Sequence, residues 1–581
     1  MWPSFLCAQG RITCTHCATI HAAEGDDFMA MTNSQIAGIL RKHADLMEIA
    51  GENSFRINAY RRASDTVKAH QQAIANEADL TSLPGIGAGI AGVLNELLTT
   101  GQYSEFEDLQ EQLPGSLLSI LDVPGLGAKR VARFYRELGI TSLPELEQAA
   151  RAGTLATLKG IGPKAATNIL EGIVFLQRRT GRVSIGVALP LAERLAESLA
   201  QQTGQPVAVA GSVRRMCETV GNIDLLATGD QVETVLNGVL ELPDVASQVE
   251  RDGDTATFEL HQGVGLRVRV VSHSMAGTAL IEMTGSAAHV EQLGDLPTAA
   301  TEHECYAALG LPWIAPEMRE NLGEVEAARA GTLPNLISID DLRGDLHLHS
   351  TWSDGKAEPL EMAAAAARRG YEYLAITDHS GGLGIANGLK PDRLAAQRDE
   401  IHGYTGSPLR LLSGSEVEVH RDGRLDFEDD LLATLDIVVA SLHSGIRQDV
   451  ETITARICRT LRNEHVDIVA HPTGRLIERR QGATYDWPQV FDAARETATA
   501  IEINSDPARL DMSDQHARQA ADAGVLISID SDAHNPGSLA LVRYGIGIAR
   551  RAWIEPHMVV NTWPLDDLLL WLAERRIPQR G

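Results

Sequence analysis

Cysteine, aromatic residues and long apolar runs are all scarce in this chain. Six cysteines in 581 residues cannot form the dense disulfide framework of a small secreted domain. No apolar run approaches the roughly 20 residues that a membrane helix needs. Residues 1–30 carry no proper secretory signal, because their apolar region is short and interrupted. We therefore expect a cytoplasmic protein with no membrane partner.

Positive charge is scarce as well. Lys and Arg number 51 against 78 Asp and Glu, for a formal net charge of −27. Such a chain repels a phosphate backbone overall, so any contact with nucleic acid must come from local basic patches. The length suggests several domains, and a composition with 44% hydrophobic residues can bury cores of ordinary size.

Three of the cysteines lie close together near the start of the chain. Cys14 and Cys17 have the Cys-x-x-Cys spacing that opens a zinc site or a redox pair. No second Cys/His pair follows at the spacing of a zinc finger, and no strand pattern precedes the motif. We therefore expect residues 1–30 to be a disordered extension without a metal site.

A short glycine motif occurs three times, each time before a helical pattern. The copies are Leu83-Pro84-Gly85-Ile86-Gly87, Val123-Pro124-Gly125-Leu126-Gly127 and Leu158-Lys159-Gly160-Ile161-Gly162. Glycine allows close approach of the turn, and free amides at the next helix N-terminus face an anion. This is the helix-hairpin-helix signature, in which the anion is a DNA phosphate contacted without regard to sequence. The residues predicted to bind DNA are Gly85, Gly87, Gly125, Gly127, Lys129, Arg130, Gly160, Gly162 and Lys164. The first copy has no basic residue next to it in the sequence, so plain helical packing is the alternative for that copy.

A mixed segment follows the three hairpins. The pattern predicts a helix over Leu189–Leu199, then strands over Val207–Ala210, Asn222–Leu226 and Leu266–Val271, with a turn at Gly211 to Arg215. Here the chain resembles the family X DNA polymerases, whose catalytic domain has a nucleotidyltransferase fold. The matching motifs, in order, are Gly211-Ser212-Val213-Arg214-Arg215, the Gly221-to-Leu226 stretch, Thr284-Gly285-Ser286 and Leu309-Gly310-Leu311-Pro312-Trp313. The resemblance covers most of residues 32–570. It is specific to the bacterial members that carry a C-terminal PHP (polymerase and histidinol phosphatase) domain.

This chain departs from the family at the polymerase carboxylates. The resemblance implies an Asp-x-Asp pair on one strand and a third Asp on a neighbouring strand, which hold two metal ions about 3.5–4 Å apart. Asn222 stands in the first position and Arg267 in the third, so only Asp224 remains. Glu259 offers an alternative third acid. We expect poor Mg²⁺ binding at this site and weak or lost DNA synthesis.

Two further family positions bear on nucleotide and lyase chemistry. The residues that the resemblance leaves as vestigial contacts to a dNTP are Gly211, Ser212, Arg215 and Asp224. Val93 stands where eukaryotic family members carry a lyase lysine, so Schiff-base chemistry loses its usual nucleophile.

The stretch from Asp345 to Gly355 carries a different kind of chemistry. Leu346 and Leu348 alternate with His347 and His349, so on a strand both imidazoles point to one face. Neutral imidazoles and a carboxylate suit Zn, Mn or Fe. Downstream, strand and helix patterns alternate, which predicts a parallel barrel with its catalytic residues at the C-terminal strand ends.

Residues of metal-ligand type stand at those strand ends. They are His347, His349, Asp354, His379, Glu416, His443, His471, Asp532 and His534. Their convergence on one face has no good structural explanation, because unpaired buried polar groups are costly. The set matches the metal ligands of the PHP family, which implies a distorted barrel that holds up to three divalent ions. Mn is the ion that we expect, with Zn or Fe as alternatives.

Clustered divalent ions lower the pKa of bound water and neutralise charge on a phosphoryl group. That chemistry is phosphoester hydrolysis. We assign the catalytic role to His347, His349, Glu416 and Asp532, with Glu416 as the natural bridging carboxylate. Three arginines beyond ligand strands are candidates to grip phosphate, with exposed surface charge as the alternative for each: Arg421, Arg447 and Arg475.

The predicted architecture is a multidomain α/β chain. Its α-helical helix-hairpin-helix modules precede a polymerase-beta-like α+β nucleotidyltransferase domain and a C-terminal distorted (β/α)7 PHP barrel. The predicted segments are a helical DNA-binding domain over 31–110, a fingers-like module over 111–182, the nucleotidyltransferase palm and thumb over 183–335, and the PHP domain over 340–575.

The function that we predict is metal-dependent hydrolysis of DNA phosphodiesters in DNA repair. The family implies a 3′-5′ exonuclease, with abasic-site cleavage as a further activity, acting on gapped, nicked or 3′-end DNA as a monomer. The alternatives are an active gap-filling polymerase with PHP proofreading, a histidinol-phosphatase-like small-molecule phosphatase, and a non-enzymatic DNA-binding scaffold.

Overall fold

The computed structural model describes most of the chain after residue 32. The described residues are 33–70, 74–77, 79–100, 103, 105–106, 109, 113–114, 117–121, 123, 125–158, 160–179, 181–261, 263–383 and 386–576. The predictions made for residues 1–30 lie outside them. The chain divides into two compact units between Leu176 and Gln177. The finer domain boundaries given above remain predictions.

The first unit is helical. Its helices are α1 Asn33–Ala50, α2 Ser54–Ala69, α3 Ala88–Thr100, α4 Leu117–Leu121, α5 Ala128–Leu138, α6 Leu143–Arg151 and α7 Pro163–Arg179. They pack around two hydrophobic cores, one built from α1 to α3 and the other mainly from α4 to α7. Val93, at the position of the family's lyase lysine, is buried in the first of these cores.

The three glycine motifs form the same turn. Gly85, Gly125 and Gly160 have φ angles of +78°, +82° and +85°, a backbone conformation that favours glycine. The aliphatic residues of each motif are buried, while both glycines are exposed. The second glycines precede α3, α5 and α7, which confirms the predicted helix after each copy. Each turn therefore presents its backbone to solvent next to a helix N-terminus.

The second unit begins with a five-stranded mixed sheet and its helices. The elements are β1 Val183–Ser184, α8 Ile185–Thr203, β2 Val207–Ala210, α9 Gly211–Arg214, β3 Thr219–Val220, β4 Asn222–Thr228, α10 Val232–Leu240, β5 Val245–Asp252, β6 Thr255–Leu260, β7 Gly265–Val271, α11 Ala276–Thr284, α12 Ala287–Leu293, α13 Glu302–Ala308 and α14 Glu324–Ala330. The sheet order is β2-β4-β7-β6-β5, with β4 and β7 parallel. The turn predicted at Gly211 is instead the single helical turn α9, because the Arg215 amide donates to the Gly211 carbonyl.

A buried ion cluster joins two of these helices. Glu302, at the start of α13, accepts hydrogen bonds from both terminal nitrogens of Arg214, at 2.7 and 2.8 Å. The fully buried Arg319 donates to the same carboxylate at 2.6 Å, and the Trp313 indole donates at 3.1 Å. Burial by itself raises the pKa of Glu302, but the two arginines outweigh it and hold the pKa at about 2. The carboxylate is thus ionised at neutral pH and offsets part of the positive charge of the two arginines.

We expect Glu302→Gln to destabilise the second unit in a pH-dependent way. In the folded protein the pKa of Glu302 is about 2, below its ordinary value of 4.5. The stability that the ionised carboxylate contributes is therefore fully present above pH 4.5 and is lost as the pH falls toward 2. The shift corresponds to about 3 kcal/mol of unfolding free energy at pH 7. Urea unfolding followed by tryptophan fluorescence checks this, with the exposed Glu250→Gln as the matched control. A parent-to-variant difference that does not change between pH 7 and pH 3 would contradict the assignment.

The rest of the second unit is a barrel of parallel strands. Its elements are β8 Gly344–Asp345, α15 Pro359–Ala367, β9 Tyr373–Ile376, α16 Pro391–Gly403, β10 Arg410–Glu418, α17 Asp429–Leu432, β11 Ile437–Ser441, α18 Val450–Leu461, β12 Ile468–Val469, α19 Trp487–Thr497, β13 Ala500–Asn504, α20 Asp514–Asp522, β14 Ile527–Asp530, α21 Val542–Arg551 and α22 Leu565–Arg575. The strands lie in the order β14-β13-β12-β11-β10-β9-β8. A parallel bridge between Leu348 and Ala533 nearly closes the barrel. The predicted distorted (β/α)7 barrel is confirmed.

The first barrel strand is shorter than predicted. The pattern extended it to His349, whereas β8 ends at Asp345. Beyond that point the His347 carbonyl accepts from the Asp532 amide, and the His349 amide donates to the Ala533 carbonyl. The backbone is therefore diverted to the end of the last strand, and this pairing brings the two predicted ligand segments together.

No helix in the part of the chain that the structure describes is long and apolar enough to span a membrane.

Candidate active site

The nine predicted ligand residues come together at the C-terminal ends of the barrel strands. They form four overlapping groups whose nitrogen and oxygen atoms lie within 4.8 Å of one another. The groups are His349, Asp354, His379 and His534; His347, His349 and Glu416; His347, His471 and Asp532; and His379, Glu416 and His443. Every predicted ligand belongs to at least one group.

Glu416, near the end of β10, lies at the centre of the cluster. Its Oε2 lies 2.6 Å from His379 Nδ1 and 3.5 Å from His347 Nε2. Its Oε1 lies 2.9 Å from His471 Nε2 and 3.4 Å from His443 Nε2. The two oxygens thus contact different histidines, an arrangement that allows one carboxylate to serve two ions.

Unpaired buried atoms show that these residues fit a cation. His347 Nε2, His349 Nδ1 and His471 Nδ1 are fully buried and have no hydrogen-bond partner within the described residues. Leaving such atoms unpaired is costly, and native structures rarely do so. Imidazole nitrogens and carboxylate oxygens are ligands for divalent transition metals. The donor set therefore fits one or more divalent ions.

The charges of the cluster also suit cation binding. Burial by itself raises the pKa of Glu416, but His379, His443 and His347 lower it well below its ordinary value. Burial also raises the pKa of Asp532, but His347 and His349 outweigh burial and lower this pKa well below its ordinary value. Both carboxylates are therefore ionised in the physiological range and available as ligands.

A second layer of residues holds the ligands in place, and no sequence motif named above includes it. Glu502 Oε1 lies 2.7 Å from His347 Nδ1, and its other oxygen accepts from the His471 amide. Glu418 Oε2 lies 2.8 Å from His443 Nδ1. Such partners orient a ligand imidazole and fix its tautomer. The sequence does carry one signal for these two residues, because each is a charged residue in an otherwise mostly apolar strand. Glu502 lies within β13, and Glu418 is the last residue of β10.

The three arginines proposed to grip phosphate have different surroundings. Arg475 donates from Nε to the Arg509 carbonyl at 2.8 Å and from Nη2 to Glu218 at 2.7 Å, and it also bonds to the Leu510 carbonyl. Its guanidinium is thus engaged in structural contacts, and the phosphate-binding hypothesis is wrong for this residue. Arg421 and Arg447 are exposed.

In the five-stranded sheet, an arginine contacts the remaining carboxylate of the predicted polymerase site. The β4–β7 register places Arg267 opposite Asp224, and its Nε donates to Asp224 Oδ1 at 2.7 Å. Asn222 donates to the same oxygen at 2.7 Å. Burial raises the pKa of Asp224, and Arg267 counteracts the rise. The guanidinium lies where the family's third carboxylate would help to hold a cation.

Glu259 does not replace the missing acid. It lies on β6 and pairs with Gly265 of β7. Arg267 of β7 pairs with Asp224 of β4 and with Thr257 of β6. Glu259 is therefore one strand beyond β7 and offset from Asp224, and its side chain is exposed. The alternative register for a third acid is wrong.

Only some of the residues predicted as vestigial nucleotide contacts lie close together. Gly211 has a φ of +66°, and a Cβ there would meet Asp224 Oδ2 at 2.1 Å, so this position needs glycine. Arg215, however, donates to Glu320 at 2.9 Å and to the Thr284 carbonyl at 2.7 Å. Ser212 is half-buried. The arginine assigned to a triphosphate is thus already paired within the protein.

The hairpin turns carry exposed basic residues. Lys129, Arg130 and Lys164 are all exposed near the second and third glycine turns. The first turn also has a nearby base, which the sequence did not reveal: a Cβ at Gly85 would lie 3.8 Å from Cβ of Arg62 on α2. The first glycine turn, like the other two, therefore has a basic residue beside it.

Comparison with known proteins gives matches over nearly the whole chain. The model described as a helix-hairpin-helix domain matches residues 31–103, the SAM-like helix-hairpin-helix tandem matches 117–173, and the PHP domain matches 345–505. The "DNA polymerase/3′-5′ exonuclease PolX" of Bacillus subtilis strain 168 is 38% identical over 571 residues, which cover 93% of this chain and 99% of that protein. A protein of Thermoanaerobacter sp. strain X514 named as a probable phosphatase is 30% identical over 231 residues, 38% of this chain and 89% of its own length.

Proposed function

This chain belongs to the family of the DNA polymerase/3′-5′ exonuclease PolX proteins, and on that premise we propose that it hydrolyses DNA phosphodiesters at its PHP domain. The products would be nucleotides released from the 3′ end during DNA repair. The observation that supports this best is the cluster of nine ligand-type side chains with unpaired, buried imidazole nitrogens. A protein that only bound DNA would have no use for such a cluster.

The residues of the cluster would divide the work as follows. Divalent ions, Mn²⁺ by our expectation with Zn²⁺ or Fe²⁺ as alternatives, would supply Lewis acidity toward water and phosphate. His347, His349, Glu416 and Asp532 would hold them, and the low pKa values of Glu416 and Asp532 keep both carboxylates charged. Glu502 would orient the His347 ring through its contact with Nδ1.

The helix-hairpin-helix modules would supply the DNA. Free amides at α3, α5 and α7 and the exposed bases beside them suit phosphates of gapped, nicked or 3′-ended duplexes. The acidic chain as a whole repels DNA, so these patches would have to provide most of the attraction.

We expect a quadruple variant of the hairpin bases to weaken DNA binding mainly at low salt. The variant is Arg62→Ala/Lys129→Ala/Arg130→Ala/Lys164→Ala. Each lost phosphate contact should reduce the slope of log K against log salt by about 0.9. Fluorescence anisotropy on a gapped duplex measures the slope, with Arg41→Ala, an exposed base paired with Asp65, as control. An unchanged slope in the quadruple variant would exclude these residues from the DNA interface.

DNA synthesis is the second candidate, because the family name includes a polymerase. The Arg267–Asp224 pair argues against it, since only one carboxylate is left and a cation already contacts it. We propose that synthesis and dNTP binding are weak or lost. A phosphatase acting on small molecules would leave the hairpin modules without a role.

One assay separates these functions. Purified protein is incubated with Mn²⁺ and a 5′-labelled gapped duplex, with and without dNTPs, and with a duplex that carries an abasic site. We expect stepwise shortening that dNTPs do not reverse. Extension alone would refute the proposal, and internal cleavage of the abasic duplex would add an endonuclease activity.

A further inference from the structure

Arg509, an arginine beside the ligand cluster, lacks a partner for one of its nitrogens. Arg509 Nη1 is fully buried and has no hydrogen-bond acceptor within the described residues. The side chain as a whole is 17% exposed, so part of it still reaches solvent. A buried guanidinium donor without an acceptor carries a substantial desolvation cost, which indicates that an acceptor arrives from outside the protein.

The backbone of Arg509 is held rigidly. Its amide donates to the Asp506 carbonyl at 2.7 Å, and its own carbonyl accepts from Arg475 Nε at 2.8 Å. The loop follows β13, whose last residue, Asn504, donates to Asp532. The Arg509 side chain thus starts from a fixed point at the mouth of the barrel, as a preorganised binding residue requires.

The guanidinium is close to one ligand of the cluster. Arg509 Nε lies 3.7 Å from Asp532 Oδ2. The contact with Asp532 is longer than a hydrogen bond. The hydrogen-bond partners of Asp532 are instead Asn504, whose Nδ2 lies 3.1 Å from Oδ2, and His349, whose Nε2 lies 3.1 Å from Oδ1. The contact with Asp532 therefore leaves the hydrogen-bonding capacity of Arg509 Nη1 unused.

Charge balance indicates what the missing partner is. The cluster contains three carboxylates, on Asp354, Glu416 and Asp532. Glu418 and Glu502 lie directly behind it, and three divalent ions with the Arg509 guanidinium would together carry more positive charge than these five carboxylates can neutralise. An additional cation in such a place is favourable only when an anion is bound there as well. A guanidinium is matched in shape and charge to a phosphate, which it can bind through two parallel N–H donors.

We propose that Arg509 binds a non-bridging oxygen of the phosphodiester that is cut. The inference rests on the proposed hydrolysis of DNA and assigns to that site its phosphate-binding residue. Arg475, which the sequence had suggested for this role, instead holds the Arg509 backbone.

The test uses the full-length protein loaded with Mn²⁺ and two probes. Inorganic phosphate is titrated calorimetrically, and hydrolysis is measured on bis(p-nitrophenyl) phosphate and on 5′-labelled DNA. The variants are Arg509→Gln, Arg509→Lys and Arg509→Ala, with Arg495→Gln as control, because Arg495 is an exposed arginine of the same barrel paired with Asp492. Manganese content and melting temperature are recorded for each protein.

We expect Arg509→Gln to weaken phosphate binding and to raise KM for both substrates by about 10- to 100-fold, the range of a charge-assisted hydrogen bond. Arg509→Lys should fall between the parent and Arg509→Gln, and added guanidinium ion should partly restore Arg509→Ala. Manganese content and melting temperature should stay at the parent values. If Arg509 were purely structural, its substitution would change the manganese content and the melting temperature, and guanidinium ion would not restore the activity of Arg509→Ala.

The outcomes separate the two proposals. If the parent degrades DNA but phosphate binding and KM are unchanged in Arg509→Gln, the inference about Arg509 is wrong and the proposed function stands. If the parent leaves DNA intact but binds phosphate through Arg509, the DNA nuclease is wrong and the phosphate site stands. A Mn²⁺-loaded parent that does not bind phosphate would overturn the inference.

Discussion

Replacing His347 and His349 together by alanine is expected to lower the rate of DNA hydrolysis by about a thousandfold or more. The estimate follows from losing the several kcal/mol by which bound divalent ions stabilise a phosphoryl transition state, at 1.36 kcal/mol for each factor of ten. Both imidazoles are fully buried, and together they take part in three of the four ligand groups. Their removal should therefore lower the manganese content as well as the rate.

His557→Ala is the matched control for this variant. His557 is a histidine of the same barrel whose side chain is 74% exposed and outside the ligand groups. Circular dichroism and melting temperature show whether the double variant is folded, because removing two buried rings leaves a cavity. A folded double variant that digests DNA as fast as the parent would show that the site has been assigned wrongly.

The second prediction concerns Asp224 and Arg267 in the five-stranded sheet. The parent should not extend a primer on gapped DNA above background with Mg²⁺, and Asp224→Asn should make no difference. The reason is the Arg267 guanidinium, 2.7 Å from Asp224, which keeps a positive charge where the family holds metal ions. An efficient parent polymerase that is abolished by Asp224→Asn would refute the proposed loss of synthesis.

Restoring the acids should restore part of that activity. Asn222→Asp/Arg267→Asp would place three carboxylates on β4 and β7, and we expect Mg²⁺-dependent primer extension at least about 100-fold above the parent. The gain should be partial because Glu320 still holds Arg215. Asn222→Asp/Arg269→Asp is the matched control, since Arg269 lies two residues further along β7 and pairs with Glu282. Equal extension by both double variants would mean that the position of the new acid is irrelevant.

The chemistry of the two sites was largely predictable from local pattern. His347 and His349 alternate with leucines, so any extended backbone turns both rings to one side, even though β8 ends earlier than predicted. Parallel strands all end at one mouth of a barrel, so ligand types at successive strand ends must converge. The loss of polymerase carboxylates was visible because Asn222 and Arg267 occupy motif positions on adjacent strands.

Interactions between distant segments could not be predicted in the same way. Glu502 and Glu418 contact ligand histidines, yet in the sequence each is one more carboxylate in an acidic chain. Arg62 lies next to Gly85 only because α2 packs beside the first hairpin turn. Arg475 follows β12 and Arg509 follows β13, and their sequence positions do not indicate which one is engaged by the backbone and which retains an unpaired nitrogen.

The sequence by itself therefore determined the nine candidate ligand residues and the three glycine turns proposed to bind DNA. These depend on residue type and on the periodicity of strand, turn and helix, which are local properties of the chain. Only the tertiary structure decided which residues support those sites. The packing of strands and helices sets which buried polar atom finds a partner, and side chains more than a hundred residues apart meet only there, as His347 and Glu502 do.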